Sequence, residues 1–272
     1  MKTIGIIGSG NMAEAFIKGL IGSGLYRPED IMASDVRAER LEYIANEYKI
    51  KTTMNNDALL RHAKVLMICV KPQSVKTMLD GIEGKTQDST LVISIAAGIT
   101  TQSLARRLSN CQIIRAMPST PAMVDEGATA IYSANASPEA VELALQLFSA
   151  VGRAVTVENE ELIDAVTAIS GSGPAYFFVL MEEMVKAAVT MGIPVDIAEQ
   201  LVYQTAKGAG VLAKLAYARG ESPAELRRKV TSPRGTTEAA IDTFTKFGLG
   251  QTLFAGFERA RQRSIELSRE SQ

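Results

Sequence analysis

The sequence predicts an α/β fold, with a doubly wound parallel sheet in residues 1–157 and an all-helical domain in 158–272. Two observations predict it. Strand and helix signals alternate up to about residue 157 and helix signals alone follow. The strand ends at 8–10, 34–37, 70–72, 96–98 and 117–121 all carry Gly, Pro or small polar residues. In such sheets ligands bind along the carboxyl edge, where those residues lie.

Thr3 to Ile7 is a short apolar, β-branched run, the pattern of a buried parallel strand. Gly8-x-Gly10-x-x-Ala13 follows at once, and a helical pattern opens with Met12, Ala13, Phe16, Ile17 and Leu20. This is the spacing of a Rossmann-type dinucleotide site. Gly8 turns out of the strand, Gly10 has no Cβ to hold a pyrophosphate away, and Ala13 packs the helix on the strand. The helix start offers N–H groups and a positive dipole end to phosphate. A purely structural glycine turn is the alternative, and the strand-turn-helix context favours the dinucleotide site.

Ile31–Ser34 reads as the second strand, followed by Asp35, Val36 and Arg37. An acid there bonds the 2′-hydroxyl of NAD, whereas Ser or Arg favours the 2′-phosphate of NADP, and this chain offers both. A helix over 38–48, a short strand at 51–53 and a helix capped by Asn55-Asn56-Asp57 come next. Val65–Val70 is a strongly buried strand stopped by Lys71-Pro72, where proline also starts a helix. Thr90–Ile95 ends in Ala96-Ala97-Gly98, either a close-approach point for a ligand or a plain turn. Ile113–Met117 leads into Pro118-Ser119-Thr120-Pro121. Strands at 128–132 and 154–157 flank a helix over 138–151.

Beyond 158 the pattern is helical. A helix over 160–169 is interrupted by Ser170-Gly171-Ser172-Gly173-Pro174, and long helices span 175–191 and 196–219. Another begins near Pro223, Ser232-Pro233-Arg234-Gly235-Thr236-Thr237 interrupts again, and Glu238 opens the next. Phe177, Phe178, Leu180, Met181, Met184 and Val185 form an apolar stripe that by itself reads as core. The extent of apolar face on so thin a helical domain predicts burial against a second copy.

Composition narrows the chemistry. With 272 residues, 46% hydrophobic and 22% charged, the chain supports a real core. A net charge of −1 supplies no field for nucleic acid or an anionic membrane. No apolar run of transmembrane length stands out, and Lys2 before a strand does not read as a signal peptide. Cys69 and Cys111 lie in apolar runs without metal or pairing spacing, so reduced thiols and a cytoplasmic location are expected. The single histidine, His62, sits at a helix end, which leaves no histidine triad or His-rich metal site. No metal is expected. A nicotinamide site without histidine favours reduction of an imine over a ketone, because a protonated C=N needs little further acid–base help. Ser232–Thr237 pairs hydroxyls with a glycine at a helix start, which suits a small carboxylate or serves as an ordinary N-cap.

Across nearly its whole length the chain resembles pyrroline-5-carboxylate reductase. The likeness runs in order through Ile7–Ala13, CVKPQ (69–73), SIAAGI (94–99), RAMPSTPA (115–122), DAVTAISGSGPAY (164–176) and VTSPRGTT (230–237). That family reduces 1-pyrroline-5-carboxylate to L-proline, the last step of proline biosynthesis, with NADPH or NADH. The resemblance implies that Ile7, Gly8, Ser9, Gly10, Asn11 and Met12 hold the pyrophosphate. It puts Ser34 and Asn56 at the adenosine ribose, and Val70, Lys71, Pro72 and Ala97 along the nicotinamide half. The substrate carboxylate falls to Ser232, Gly235, Thr236 and Thr237, and Glu160 lies near the substrate. Thr237 is the catalytic candidate, bonding the ring nitrogen. The resemblance further implies a homodimer through the helical domain, assembled into a decamer, with the 232–237 loop of one protomer completing the other's site. NADP(H) is the expected cofactor, with NAD(H) accepted.

Two residues depart from the family pattern: Arg234 for glycine, costly if the position needs positive φ, and Ser119 for asparagine. Two other readings stand beside this one. A hydroxyacid dehydrogenase shares the two-domain plan but needs a lysine that 169–176 lacks. A catalytically silent NAD(P)-binding protein would fit if Arg234 blocked the loop.

Overall fold

The apolar runs at 4–7, 65–68 and 91–94 become strands buried on both faces. In the computed structural model, which describes residues 3–270, the first elements are β1 (Ile4–Ile7), α1 (Asn11–Gly22), β2 (Ile31–Ser34), α2 (Ala38–Tyr48), β3 (Lys51–Thr53) and α3 (Asn56–His62). Next come β4 (Val65–Ile68), α4 (Pro72–Ile82), β5 (Leu91–Ser94), α5 (Thr101–Arg107), β6 (Gln112–Met117), β7 (Gly127–Ser133), α6 (Pro138–Ser149) and β8 (Gly152–Thr156). The helical part holds α7 (Leu162–Val166), α8 (Gly173–Thr190), α9 (Val195–Tyr217), α10 (Pro223–Lys229), α11 (Thr236–Lys246) and α12 (Leu249–Glu270).

The eight strands form one sheet in the order β3-β2-β1-β4-β5-β6-β7-β8, parallel throughout except between β6 and β7. The connection 118–126 holds only a 3-10 turn (Thr120–Val124), too short for a crossover, so the chain reverses there. Successive strand residues feed opposite faces. Ile4, Ile6, Val65, Met67, Leu91 and Ile93 join one buried cluster, with Phe16 and Phe148. Ile7, Leu66, Ile68, Val92 and Ile113 join the other. The parallel register aligns Ile7 with Ser34 and Ile68, and Ile68 with Ser94. The predicted ligand residues of four strands therefore leave the sheet along one edge.

Two compact units make up the chain: Met1–Pro174 with Glu258–Gln272, and Ala175–Phe257. The helical reading needs three corrections. Ser170–Pro174 does not break the helix: Thr167–Gly171 is a π-helix, closed by the Ser172 N–H donating to the Thr167 carbonyl at 2.8 Å. The wider turn accommodates Pro174, which has no N–H to give and would crowd the carbonyl four residues back. As a result, Leu162–Thr190 is one helical run of 29 residues, long and apolar enough to cross a membrane by length and composition alone. Second, the Phe and Met stripe is not core within the chain: Phe177 and Phe178 are 65% and 56% exposed. Third, α11 begins at Thr236, so Thr236 and Thr237 belong to its first turn and not to the preceding loop.

Candidate active site

The turn from β1 into α1 is built as the fingerprint requires. Gly8 has φ +92°, and a Cβ on it would lie 2.8 Å from the Cys69 carbonyl oxygen and 3.0 Å from Val70. Only glycine fits both constraints. Gly10 is the N-cap of α1, and among the described residues no side chain caps that helix and a Cβ on Gly10 would meet nothing within 4 Å. The approach to the helix start is thus open to a close-lying anion, which is the fit a dinucleotide pyrophosphate needs. Asn11 and Met12 form the first turn.

The end of β2 is tied to this turn. The Gly8 N–H donates to the Ser34 carbonyl at 2.8 Å, and the Ser34 hydroxyl donates to Asn56 Oδ1 at 2.8 Å. Ser34 and Asn56, placed at one ribose by the resemblance, are in direct contact. Asn55 caps α3 by accepting from the Asp57 N–H at 2.8 Å, which sets Asn56 in the first turn. Asp35, the residue that argued for NAD, is already engaged. Its carboxylate accepts from the Ser9 N–H (2.8 Å), the Arg37 N–H (3.0 Å), and Arg37 Nε and Nη2 (3.0 and 3.1 Å). Burial works to raise the Asp35 carboxyl, but the Arg37 and Ser9 donors outweigh it and hold it below the usual aspartate value.

Along the same edge, Val70 and Lys71 lead into α4 with Pro72 at its first position, and Ala97 follows β5. A Cβ on Gly98 would lie 3.0 Å from the Leu267 backbone, so the end of α12 packs against this turn. Glu160 supports the turn's far side. Its two oxygens accept from the Thr101 N–H (2.8 Å) and hydroxyl (2.7 Å), at the start of α5, and from buried Arg115 (3.1 Å). Arg115 also pairs with Asp164 at 3.7 Å, and Asp164 accepts from the Ser264 hydroxyl at 2.7 Å. Ser119 is buried and accepts from the Ala128 N–H at 2.9 Å, tying its loop to β7.

In the other unit, Ser232–Thr237 forms a tight approach to α11. Arg234 adopts φ +61°, and its N–H donates to Glu238 at 2.6 Å. The loop thus does need a left-handed residue, and arginine occupies it at a backbone cost of about 1–2 kcal/mol. The Gly235 N–H donates to the Ser232 carbonyl at 3.0 Å, and a Cβ on Gly235 would lie 2.5 Å from the Ser232 hydroxyl oxygen. Gly235 is the N-cap, and among the described residues no side chain caps this helix. The N–H groups of Thr236 and Thr237 open the helix. Thr243 and Thr245 return their hydroxyls to carbonyls four residues back, whereas among the described residues the Thr237 hydroxyl has no such bond.

Sequence reading brings these residues forward but passes over Glu14, Arg40, Thr101 and Arg115. Their partners lie 26 to 59 residues away, and no local spacing announces them.

Residues 3–98 match the family model described as NADP oxidoreductase, coenzyme F420-dependent, and residues 160–267 match pyrroline-5-carboxylate reductase dimerisation. The fold and its strand-edge turn define an NAD(P)-dependent oxidoreductase. The pyrroline-5-carboxylate reductase of Pseudomonas aeruginosa is 43% identical over 267 residues, covering 97% of this chain and 96% of that one. The Synechocystis enzyme of that name is 39% identical, covering 98% of each. A solved pyrroline-5-carboxylate reductase from Coxiella burnetii superposes with TM-score 0.89 at 36% identity over 98% of both chains. One from Plasmodium falciparum, solved with NADP bound, gives 0.85 at 25% identity, also over 98% of both. The chain belongs to the pyrroline-5-carboxylate reductase family.

Proposed function

We propose that this protein reduces 1-pyrroline-5-carboxylate to L-proline with NADPH and accepts NADH. The observation that carries the reading is the second uncapped helix start, at Gly235–Thr237, formed although arginine occupies the left-handed position before it. A helix start with free N–H groups and a neighbouring hydroxyl holds a carboxylate without any arginine contact. The open turn Ile7–Met12 holds the pyrophosphate, Ser34 and Asn56 the ribose, and Val70, Lys71, Pro72 and Ala97 the nicotinamide half. With Asp35 already saturated by Ser9 and Arg37, no free acid there repels a 2′-phosphate.

When bound, the nicotinamide supplies the hydride. The chain's own work is placement. The Thr236 and Thr237 N–H groups and the Ser232 hydroxyl hold the substrate carboxylate. Gly235, whose own N–H is spent on Ser232, has no Cβ to displace the Ser232 hydroxyl. The Thr237 hydroxyl oxygen accepts from the protonated ring nitrogen, which keeps the proton there and fixes the C=N face. Glu160, with both oxygens engaged by Thr101 and Arg115, serves the site by fixing the start of α5. We also propose that the exposed apolar helical faces pair two protomers, that such dimers build up to a decamer, and that the enzyme works in the cytoplasm. The exposed Phe177 and Phe178 support the pairing, and a stable monomer in sedimentation at micromolar concentration would overturn it.

A spectrophotometric assay with the cyclic imine acid tests the activity. Oxidation of either nucleotide is expected, and Thr237→Val should lower kcat/KM about 10–100-fold, the scale of a lost hydrogen bond to a charged group. Failure of the unaltered protein to oxidise NADPH or NADH would refute the proposal.

A further inference from the structure

Ser9, between the two fingerprint glycines, is completely buried, and every polar group it has is held by protein. Its N–H donates to Asp35 (2.8 Å), its hydroxyl to the Ser34 carbonyl (3.3 Å), and its carbonyl accepts from Arg40 Nε (2.5 Å). Arg40 is itself clamped. Its Nη2 donates to Glu14 in the first turn of α1, and its guanidinium lies 5.0 Å from the Tyr43 ring centre. Glu14 in turn accepts from the hydroxyls of Tyr43 (3.0 Å) and Tyr48 (2.9 Å). Burial works to raise the Glu14 carboxyl, but Arg40 and the two tyrosines outweigh it and keep it ionised. Arg40 and Glu14 are largely covered, at 18% and 22% side-chain exposure.

We infer that Arg40 is a positioning residue for the dinucleotide, locking the Ser9–Gly10 peptide by its carbonyl as Asp35 locks the preceding Gly8–Ser9 peptide by its N–H. With the peptides on both sides of Ser9 held, neither can flip, so the Gly10 N–H, which shares its peptide with the Ser9 carbonyl, and the Asn11 and Met12 N–H groups after it are aimed before any ligand arrives. Affinity that would otherwise be lost in ordering the turn is retained. This rests on the reading that the turn holds a pyrophosphate. Arg40 acts on the turn and not on the adenosine, so it serves NADPH and NADH alike. Glu14 is needed because a lone guanidinium would turn toward solvent.

Titrating NADPH and NADH into the full-length protein and into Arg40→Met and Arg40→Lys tests this by nucleotide fluorescence. Arg40→Met should weaken both nucleotides by the same factor, about tenfold, the scale of one charge-assisted hydrogen bond. Arg40→Lys keeps the charge and stem, but its ammonium cannot span Ser9 and Glu14, so it should also weaken both equally and serves if Arg40→Met fails to fold. Loss confined to NADPH would make Arg40 a direct 2′-phosphate ligand and overturn the inference, as would unchanged affinity in a folded variant. If the unaltered protein binds neither nucleotide, the pyrophosphate reading itself falls and takes the inference with it.

Discussion

Arg234 offers a substitution whose sign the backbone alone decides. It sits at φ +61°, where a residue with a Cβ pays about 1–2 kcal/mol that glycine does not. Its backbone N–H donates to the Glu238 carboxylate at 2.6 Å, and that donor survives any replacement other than proline. Arg234→Ala and Arg234→Gly remove the same charge and the same long side chain, so their difference isolates the conformation. Glycine recovers the left-handed cost but loses about 0.4–1 kcal/mol through its freer unfolded chain. The net is about 0.5–1 kcal/mol in favour of Arg234→Gly, which at about 2–4 °C per kcal/mol is about 1–4 °C in Tm. In a right-handed helix the same comparison would favour alanine by about 1 kcal/mol. Thermal melts of the two variants, with hydrogen exchange of the amides at 234–239, read the difference. An Arg234→Ala protein as stable as Arg234→Gly, with equal loop protection, would refute the backbone argument. Equal rises in substrate KM for both variants would report the lost positive charge.

Other outcomes follow from the same structure. The Thr129 hydroxyl is buried and without a hydrogen-bond partner among the described residues, so Thr129→Val should stabilise the sheet by about 1 kcal/mol in urea denaturation. Arg115 is 2% exposed between Glu160 and Asp164, and Arg115→Ala leaves both carboxylates without their cation. A loss of about 3–5 kcal/mol is expected, read as a lower urea midpoint with the slope unchanged. Glu14 and Asp35 are held below their ordinary values of 4.5 and 3.8. Their stabilisation is complete above those values and disappears as pH falls through the depressed ones. An acid-unfolding curve should accordingly flatten below pH 4.5 in Glu14→Gln, since that variant has no Glu14 proton to take up.

The sheet was legible because each strand is a short β-branched run closed by Gly, Pro or a small residue. Thr3–Ile7 and Val65–Val70 announce themselves locally. The reversal at β7 and the continuity through Ser170–Pro174 were not legible. Both depend on local options, a short reversing connection and a π-turn, that composition leaves equally open. The apolar stripe at Phe177 and Phe178 was legible as apolar but not as exposed, because periodicity reports a face and not what covers it.

What the sequence determined alone are the features that lie within one turn of chain. These are the glycine fingerprint, Pro72 at a helix start, the Asn55 cap and the hydroxyls around Gly235. What only the tertiary structure decided is how remote residues spend their hydrogen bonds. Asp35 is bound to Ser9 and Arg37 rather than free for a ribose, Arg40 holds Ser9 across 31 positions, and Glu160 braces Thr101 across 59. Hydrogen bonds act over about 3 Å of space, and that distance carries no trace in linear spacing once the chain has crossed the sheet.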